Sequence, residues 1–315
     1  MRTRVSCNRS TNPLPGGIGG RTLPPSRDTA LDVTGLSALM AFTSGSRAIR
    51  IGLIDGPVMV DDPDLAGAQA IPVANGAAVC SQPTSRACAH GTYVARILSG
   101  RRGSDAAALC PDCTLLVRPI FKEEDSQPSA SLEDLAAAVR ECVDAGAHVL
   151  NISSALARPS IAAHPELEAA LNIAMRRGTL VVAAAGNQGM LGSSVITRHP
   201  WVVPVAACDL DHRPVHWSNF GNSIGRNGLM APGAGLDKRA GNAGAGAVDD
   251  TTTAAALVSG AVALLRSMFP GAGSSEIRRA VTRSYKRRTS VVPPVLDAMA
   301  AHQQLAAARP QESNA

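Results

Sequence analysis

Ile51-Gly52-Leu53-Ile54-Asp55-Gly56-Pro57 is an apolar run that ends on a carboxylate and is closed by two turn-forming residues. A short, nearly continuous apolar segment bounded by Gly and Pro reads as a strand buried on both faces, here Ile49–Ile54, with Asp55 at its carboxyl end. The same form recurs at Thr114–Ile120, His148–Ile152, Leu180–Ala184 and Trp201–Ala206. Between these runs the apolar period changes to that of a helix. Leu132, Leu135, Ala136, Val139 and Val143 share one face behind a Ser131-x-x-Asp134 capping signal and stop at Gly146, while Leu167, Ala170, Leu171, Ala174 and Met175 do the same before Gly178. Strands alternating with helices predict an α/β fold of three layers: a mostly parallel central sheet flanked by helices, with functional loops at the carboxyl ends of the strands.

Composition agrees with one such domain. A chain of 315 residues with 45% hydrophobic content can bury a full core, and with only 3% aromatics that core must be built from Ala, Val, Leu and Ile. So few aromatics argue against nucleic-acid binding by base stacking. The net charge of +5 is modest, and its densest run, Arg278, Arg279, Arg283, Lys286, Arg287 and Arg288, reads as a solvated helix face. Residues 1–33 are rich in Pro, Gly, Ser and Arg and read as a flexible extension, 34–306 as the globular domain, and 307–315 as a loose polar tail. The extension holds no apolar run long enough for an export signal or a membrane span, so a cytoplasmic protein without membrane contact is expected. Seven cysteines, two of them (Cys142 and Cys208) in segments that read as buried, fit a reducing compartment better than a disulfide scaffold. Cys110-Pro-Asp-Cys113 has metal-ligand spacing, which Cys80 and Cys88 could complete as a zinc site; an ordinary loop is the simpler account.

Chemistry concentrates in four places. Asp55 closes the first strand. His90-Gly-Thr-Tyr-Val-Ala95 opens a helical run to Leu98, and Val181-Val-Ala-Ala-Ala-Gly-Asn187 carries Asn187 just past another strand. The fourth is Asp250-Thr251-Thr252-Thr253 at the head of an apolar helix over Ala254–Met268. Each alone has a plain structural account as a turn, a helix start or an N-cap. Together with Pro63-Asp-Leu65, Val149-Leu-Asn-Ile-Ser153, Trp217-Ser-Asn-Phe-Gly221, Met230-Ala-Pro-Gly233 and Val258-Ser-Gly-Ala261, in this order, they resemble the subtilisin-like serine proteases, the subtilases.

That resemblance implies the fold of the family and a site in which Asp55 orients His90, His90 acts as general base and then acid, and Asn187 donates its side-chain amide to the oxyanion. It also implies that Ser153, Ser154 and Ala155, with Ala184, Ala185 and Gly186, wall the pocket for an extended peptide substrate. Asp55-Gly-Pro-Val58, Arg118-Pro-Ile-Phe121 and His148-Val-Leu-Asn-Ile-Ser153 further resemble the PatA-like subtilases associated with maturation of ribosomally made cyclic peptides, which implies a precursor peptide as partner. Neither cofactor nor metal is expected, since no acidic loop has calcium-ligand spacing.

The chain departs from the family at its most characteristic segment. Where the pattern has Gly-Thr-Ser-x-Ala-x-Pro, this sequence has Asp250 for the first Gly, Thr252 for Ser and Ala256 for Pro. A threonine can serve as nucleophile, but its methyl stiffens χ1 beside the attacked carbon, and a nearby carboxylate opposes growing negative charge. Two readings follow: an endopeptidase with Thr252 as nucleophile, or a disarmed pseudoprotease that binds extended peptides as a recognition or scaffold component. A third, phosphate binding at Gly241-Asn-Ala-Gly-Ala-Gly246, lacks the Gly-Lys-Ser/Thr that such loops need.

Overall fold

The computed structural model describes residues 4–6, 29–73, 79–156, 162–234, 236, 250–282 and 288–309. The strands among them are β1 (Arg4–Ser6), β2 (Arg50–Asp55), β3 (Gln69–Pro72), β4 (Thr114–Pro119), β5 (Ser129–Ser131), β6 (Val149–Ile152), β7 (Ala155–Leu156), β8 (Leu180–Ala184), β9 (Val202–Cys208) and β10 (Leu229–Pro232). The helices are α1 (Ala30–Val33), α2 (Leu36–Phe42), α3 (Arg86–Ser99), α4 (Leu132–Asp144), α5 (Pro165–Arg177), α6 (Asn222–Asn227), α7 (Thr251–Met268), α8 (Ser274–Thr282) and α9 (Ala298–Ala307). Seven strands form one parallel sheet in the order β10-β9-β8-β6-β2-β4-β3.

Successive side chains of a strand face opposite sides, and here both sides are covered. Ile51 and Leu53 of β2 join α2, α3, α7, α8 and α9 in one apolar layer, whereas Ile54 joins α4 and α5 in the other. This is the three-layer arrangement expected from the alternating periods. Helix α7 lies at the centre of the first layer, buried from Thr251 to Leu265. Its length and hydropathy would suffice to cross a membrane, but 83% of that window is buried within the protein. At Gly260 the small size has a packing cause: a Cβ there would lie 2.3 Å from Leu109 Cδ1, so a larger residue would push the Leu109 side chain aside.

The sheet order positions the site. From β2 the chain moves outward to β3 and β4 on one side and then to β6, β8, β9 and β10 on the other. Such a reversal leaves a crevice at the carboxyl ends of the strands that flank it. Asp55 is the last residue of β2 and stands at that crevice.

The structure corrects several boundaries. His90 does not open its helix: α3 begins at Arg86, capped by Ser85, whose Oγ accepts Cys88 N–H at 3.1 Å, so His90 lies one turn in. Helix α7 starts at Thr251 rather than Ala254, with Asp250 as its cap. Within residues 1–33, Arg4–Ser6 are strand and Ala30–Val33 helix. The basic run is not simply a solvated face. Arg278 donates to Pro200 O at 2.7 Å and stacks over Trp201, Arg288 donates to Gly228 O at 2.9 Å, and residues 283–287 lie outside the described set, as does the glycine run at 241–246.

The cysteines divide. Cys142 and Cys208 are buried as expected, and burial pushes each thiol up to about 12. Cys110 and Cys113 form a buried turn beside Gly45, closed by Cys113 N–H to Cys110 O at 3.1 Å. Cys80 and Cys88 are joined in a disulfide, which corrects the view of the set as reduced and dissolves the four-cysteine zinc site. Their partner in space is Glu123, not Cys110 or Cys113. The bridge closes a separation of 8 residues around the Ser85 cap, and loop-closure entropy makes such a link worth about 2–3 kcal/mol. Reduction with a small thiol is therefore expected to lower the melting temperature by several degrees in a thermal scan; an unchanged transition would show the link to be without weight.

Candidate active site

Asp55 Oδ1 accepts Gly56 N–H at 2.6 Å and lies 2.7 Å from His90 Nδ1. On the other side of the ring, Nε2 lies 3.1 Å from Thr252 Oγ1. All three side chains are buried. Residues far apart in the chain thus form one hydrogen-bonded line from the end of β2, through α3, to the first turn of α7.

Two glycines permit the approach of α3 to the turn after β2. A Cβ at Gly56 would lie 2.0 Å from Ala87 O, and one at Gly91 would lie 2.5 Å from Gly56 O and 2.6 Å from Pro57 O. Backbone meets backbone with no room for a methyl, which gives the Asp55-Gly-Pro and His90-Gly sequences a steric cause. Thr92 Oγ1 adds a tie by accepting Met59 N–H at 2.9 Å, and Arg96 pairs with Asp62 at the turn formed by Pro63-Asp64-Leu65.

Thr252 has a second neighbour that the family pattern does not provide. Its hydroxyl donates to Asp250 Oδ1 at 2.6 Å, closer than His90 Nε2. The same carboxylate oxygen accepts Thr252 N–H at 3.1 Å, Thr253 N–H at 2.9 Å and the Thr253 hydroxyl at 3.2 Å, and Asp250 Oδ2 is 3.8 Å from His90 Nε2. Both accounts of Asp250 given by the sequence, a helix cap and a carboxylate against the hydroxyl, hold at once. A hydroxyl has one proton, so it cannot donate to His90 Nε2 and to Asp250 at the same time.

Asn187 Oδ1 accepts both Thr251 N–H and the Thr251 hydroxyl, each at 2.9 Å. This clamps the carbonyl half of the amide onto α7 and turns the NH2 half away from Thr251. Gly186, at φ 106°, donates to Thr251 Oγ1 at 3.1 Å. Ala184 ends β8, and the N–H of Ala185 is taken up by Val205 O of the neighbouring strand at 2.9 Å. Ala155 faces Gly186, where an added Cβ would lie 3.0 Å from Ala155 Cβ. Ser153 is drawn inward, its Oγ accepting Asn151 Nδ2 at 2.7 Å, while Asn151 Oδ1 accepts Ser259 Oγ of α7 at 2.9 Å. Ser154 is buried beside it.

Sequence reasoning did not single out two supporting residues. Tyr93 OH lies 3.2 Å from Thr253 Oγ1, linking α3 to α7; its place three residues after His90, on the same helical face, was the available signal. Asn219 shapes the loop after Asn187: its Oδ1 accepts Gln188 N–H at 3.2 Å and Met190 N–H at 2.9 Å, and its Nδ2 donates to Ala185 O at 3.1 Å. The Trp217-Ser-Asn-Phe motif contained it without revealing the role.

Comparisons with known proteins bear on family and fold. Residues 46–303, more than half of the chain, match the subtilase family, peptidase S8. A thermostable alkaline protease of Halalkalibacterium halodurans is 27% identical over 230 residues, covering 72% of this chain and 61% of its own length, so the chain spans less than two thirds of that relative. Among solved structures, the prenylagaramide maturation protease PagA superposes with TM-score 0.72 at 26% identity, covering 86% of this chain and 98% of its own. A mutant of the protease domain of PatA gives TM-score 0.72 at 28% identity, with 84% and 98% covered.

Proposed function

The chain belongs to the subtilase family, and from that membership we propose that it is a subtilisin-like endopeptidase that hydrolyses peptide bonds with Thr252 as nucleophile. The observation that carries this is the unbroken line Asp55–His90–Thr252, at 2.7 and 3.1 Å. Asp55 holds the Nδ1–H tautomer, leaving Nε2 to take the hydroxyl proton as Oγ1 attacks the carbonyl carbon. The negative charge that develops on the carbonyl oxygen takes a hydrogen bond from Asn187 Nδ2, a single such donor being worth about 2.7–4 kcal/mol in related sites, while Thr252 N–H is held by Asp250 Oδ1. His90 then passes the proton to the leaving amine, and water completes hydrolysis of the acyl-threonine by the reverse sequence. No cofactor or metal takes part in these steps.

As substrate we propose a precursor peptide, a reading supported by the likeness to PagA and PatA, which are named for maturation and protease domains. A second reading, a disarmed site that binds extended peptides, is favoured by one observation: the 2.6 Å bond from Thr252 to Asp250.

The test is to incubate purified protein with extended peptides and identify products by mass spectrometry. Cleavage that disappears in Thr252→Ala supports the hydrolase. Cleavage undiminished in that variant overturns it, and peptide binding without cleavage supports the second reading.

A further inference from the structure

Among the described residues, Cys80, Cys88 and Glu123 bring metal-ligating atoms together: both sulfurs and a carboxylate oxygen lie within 4.8 Å of one another. They arrive from the loop before α3, the first turn of α3 and the segment after β4. Glu123 is already oriented. Its Oε2 accepts Ser81 N–H at 3.1 Å and the Ser81 hydroxyl at 2.6 Å, while Oε1 accepts Gln82 N–H at 2.8 Å and lies 3.4 Å from Cys80 Sγ. Burial would raise its carboxyl, but hydrogen bonds from Ser81, Gln82 and Ser85 outweigh that and hold it below the usual carboxylate range, an anion at neutral pH.

The joined sulfurs take no metal, but their bond is open to exchange. Cys80 is half-buried between exposed Val79 and Ser81, whereas Cys88 is buried. A dithiol reductant attacks the Cys80 sulfur, and Cys88 leaves as a thiolate. The second thiol of the reductant then closes its own disulfide and frees Cys80, so two electrons pass from the dithiol to the pair. Cys88 is the third residue of α3, where the helix dipole favours an anion. Helices α4 and α5 each carry two acidic residues in the first turn, and α3 has none of its own. Two thiolates and Glu123 sum to three negative charges; a divalent cation leaves one, the sign that the start of α3 favours.

We propose that the reduced pair Cys80 and Cys88, with Glu123, is a binding site for a divalent cation of the zinc class, the thiols giving up their protons to solvent as it binds. Two thiolates and a carboxylate suit zinc rather than calcium or magnesium, which take oxygen ligands, and water fills the fourth position of the tetrahedron. Zn–S bonds of about 2.3 Å at a tetrahedral angle set the sulfurs about 3.8 Å apart, a separation that rotation of the Cys80 side chain supplies. The cation replaces the disulfide as a tie. Val58 pairs with Val79 and its carbonyl accepts Cys80 N–H at 3.1 Å, so the tie joins the turn after Asp55 to the helix that carries His90, two residues beyond Cys88. Cys110, Cys113, Cys142 and Cys208 are free thiols, which fit reducing surroundings; there the covalent bond opens and the cation holds the same parts together. It takes no part in hydrolysis.

The experiment uses the full-length chain, reduced with a phosphine that is then removed without air, and titrates it with Co2+ and then Zn2+. One equivalent of Co2+ should give a thiolate-to-cobalt charge-transfer band with the visible bands of a tetrahedral site, and one equivalent of Zn2+ should erase them; the oxidised chain should give neither. Cys80→Ser should weaken Zn2+ binding at least about a hundredfold, beyond the roughly 10–100-fold that loss of a residue merely orienting a ligand costs. Glu123→Gln should keep the charge-transfer band and weaken Zn2+ about tenfold or more. Zn2+ should also restore the melting temperature that reduction lowers, in the parent and not in Cys80→Ser. Circular dichroism checks that each variant is folded, and if Cys80→Ser is not, Glu123→Gln decides. No charge-transfer band in the reduced parent, the same band in the oxidised chain, or equal Zn2+ affinity in parent and folded variants overturns the inference, the last by assigning the metal to other thiols such as Cys110 and Cys113.

Discussion

The double variant Asp250→Gly/Thr252→Ser is expected to cleave peptides with kcat/KM at least about a hundredfold above that of the parent chain. Three effects act in one direction. Removing the carboxylate frees the hydroxyl proton for His90, which otherwise competes at 3.1 Å against 2.6 Å. It also frees Thr252 N–H, which Asp250 holds at 3.1 Å, for the oxyanion, and loss of one such donor typically costs 10²–10³ in rate. Third, serine removes the methyl beside the attacked carbon, at a site where a misplacement of about 1 Å costs roughly a hundredfold. The helix should survive, since Gly at an N-cap is only a few tenths of a kcal/mol worse than Asp. Each single variant should give part of the gain, and the two should not add simply because both act on one hydroxyl. Steady-state kinetics on a peptide cleaved by the parent checks this. A double variant no faster than the parent would mean that Asp250 does not restrain the nucleophile.

Gly91→Ala is expected to damage both fold and site. In the middle of a helix, alanine should stabilise by about 0.5–1 kcal/mol on propensity alone. Against that, its Cβ would lie 2.5 Å from Gly56 O and 2.6 Å from Pro57 O, both backbone atoms with nowhere to go. Overpacking of this kind costs about 1–3 kcal/mol, so the clash wins. Because the helix that must retreat carries His90 at the preceding position, the 2.7 Å contact to Asp55 lengthens as well, and hydrolysis should fall about a hundredfold. Gly271→Ala, with nothing within 4 Å of its added methyl, is the control and should leave both measurements near their parent values. A melting temperature and rate for Gly91→Ala equal to the control's would show that α3 can shift without consequence.

The architecture was legible because its signals are long and repetitive. Apolar runs ending in Asp, Gly or Pro mark β2, β4, β6, β8 and β9, and the Ser131/Asp134 capping box with Gly178 fixes the limits of α4 and α5. What escaped is short or depends on distant partners. β3, at the sheet edge, mixes Gln69 with an exposed Ile71 and ends in Pro72; β10 is four residues; β7 is two. Strands of that size have no period to detect. Of the residues picked out by their order, Asp55, His90 and Thr252 lie in one hydrogen-bonded line and Asn187 holds the adjacent Thr251. The bond from Asp250 to Thr252 was not legible, because a cap residue two positions before a hydroxyl touches it only in the rotamer that the folded helix imposes. Nor could the sequence say which cysteines meet, since Cys80 and Cys88 are brought together by the loop that Glu123 gathers through Ser81 and Gln82.

The line at the centre of the molecule joins residues 35 and 162 positions apart. Contacts so distant in sequence carry a loop-closure entropy and require β2, α3 and α7 to be docked together. A ribosome-bound or half-collapsed chain therefore carries the parts of a hydrolytic centre without possessing one, and any cutting ability is born with the last docking event. Completion of folding is thus also completion of the site: an unfinished copy holds these residues without their arrangement.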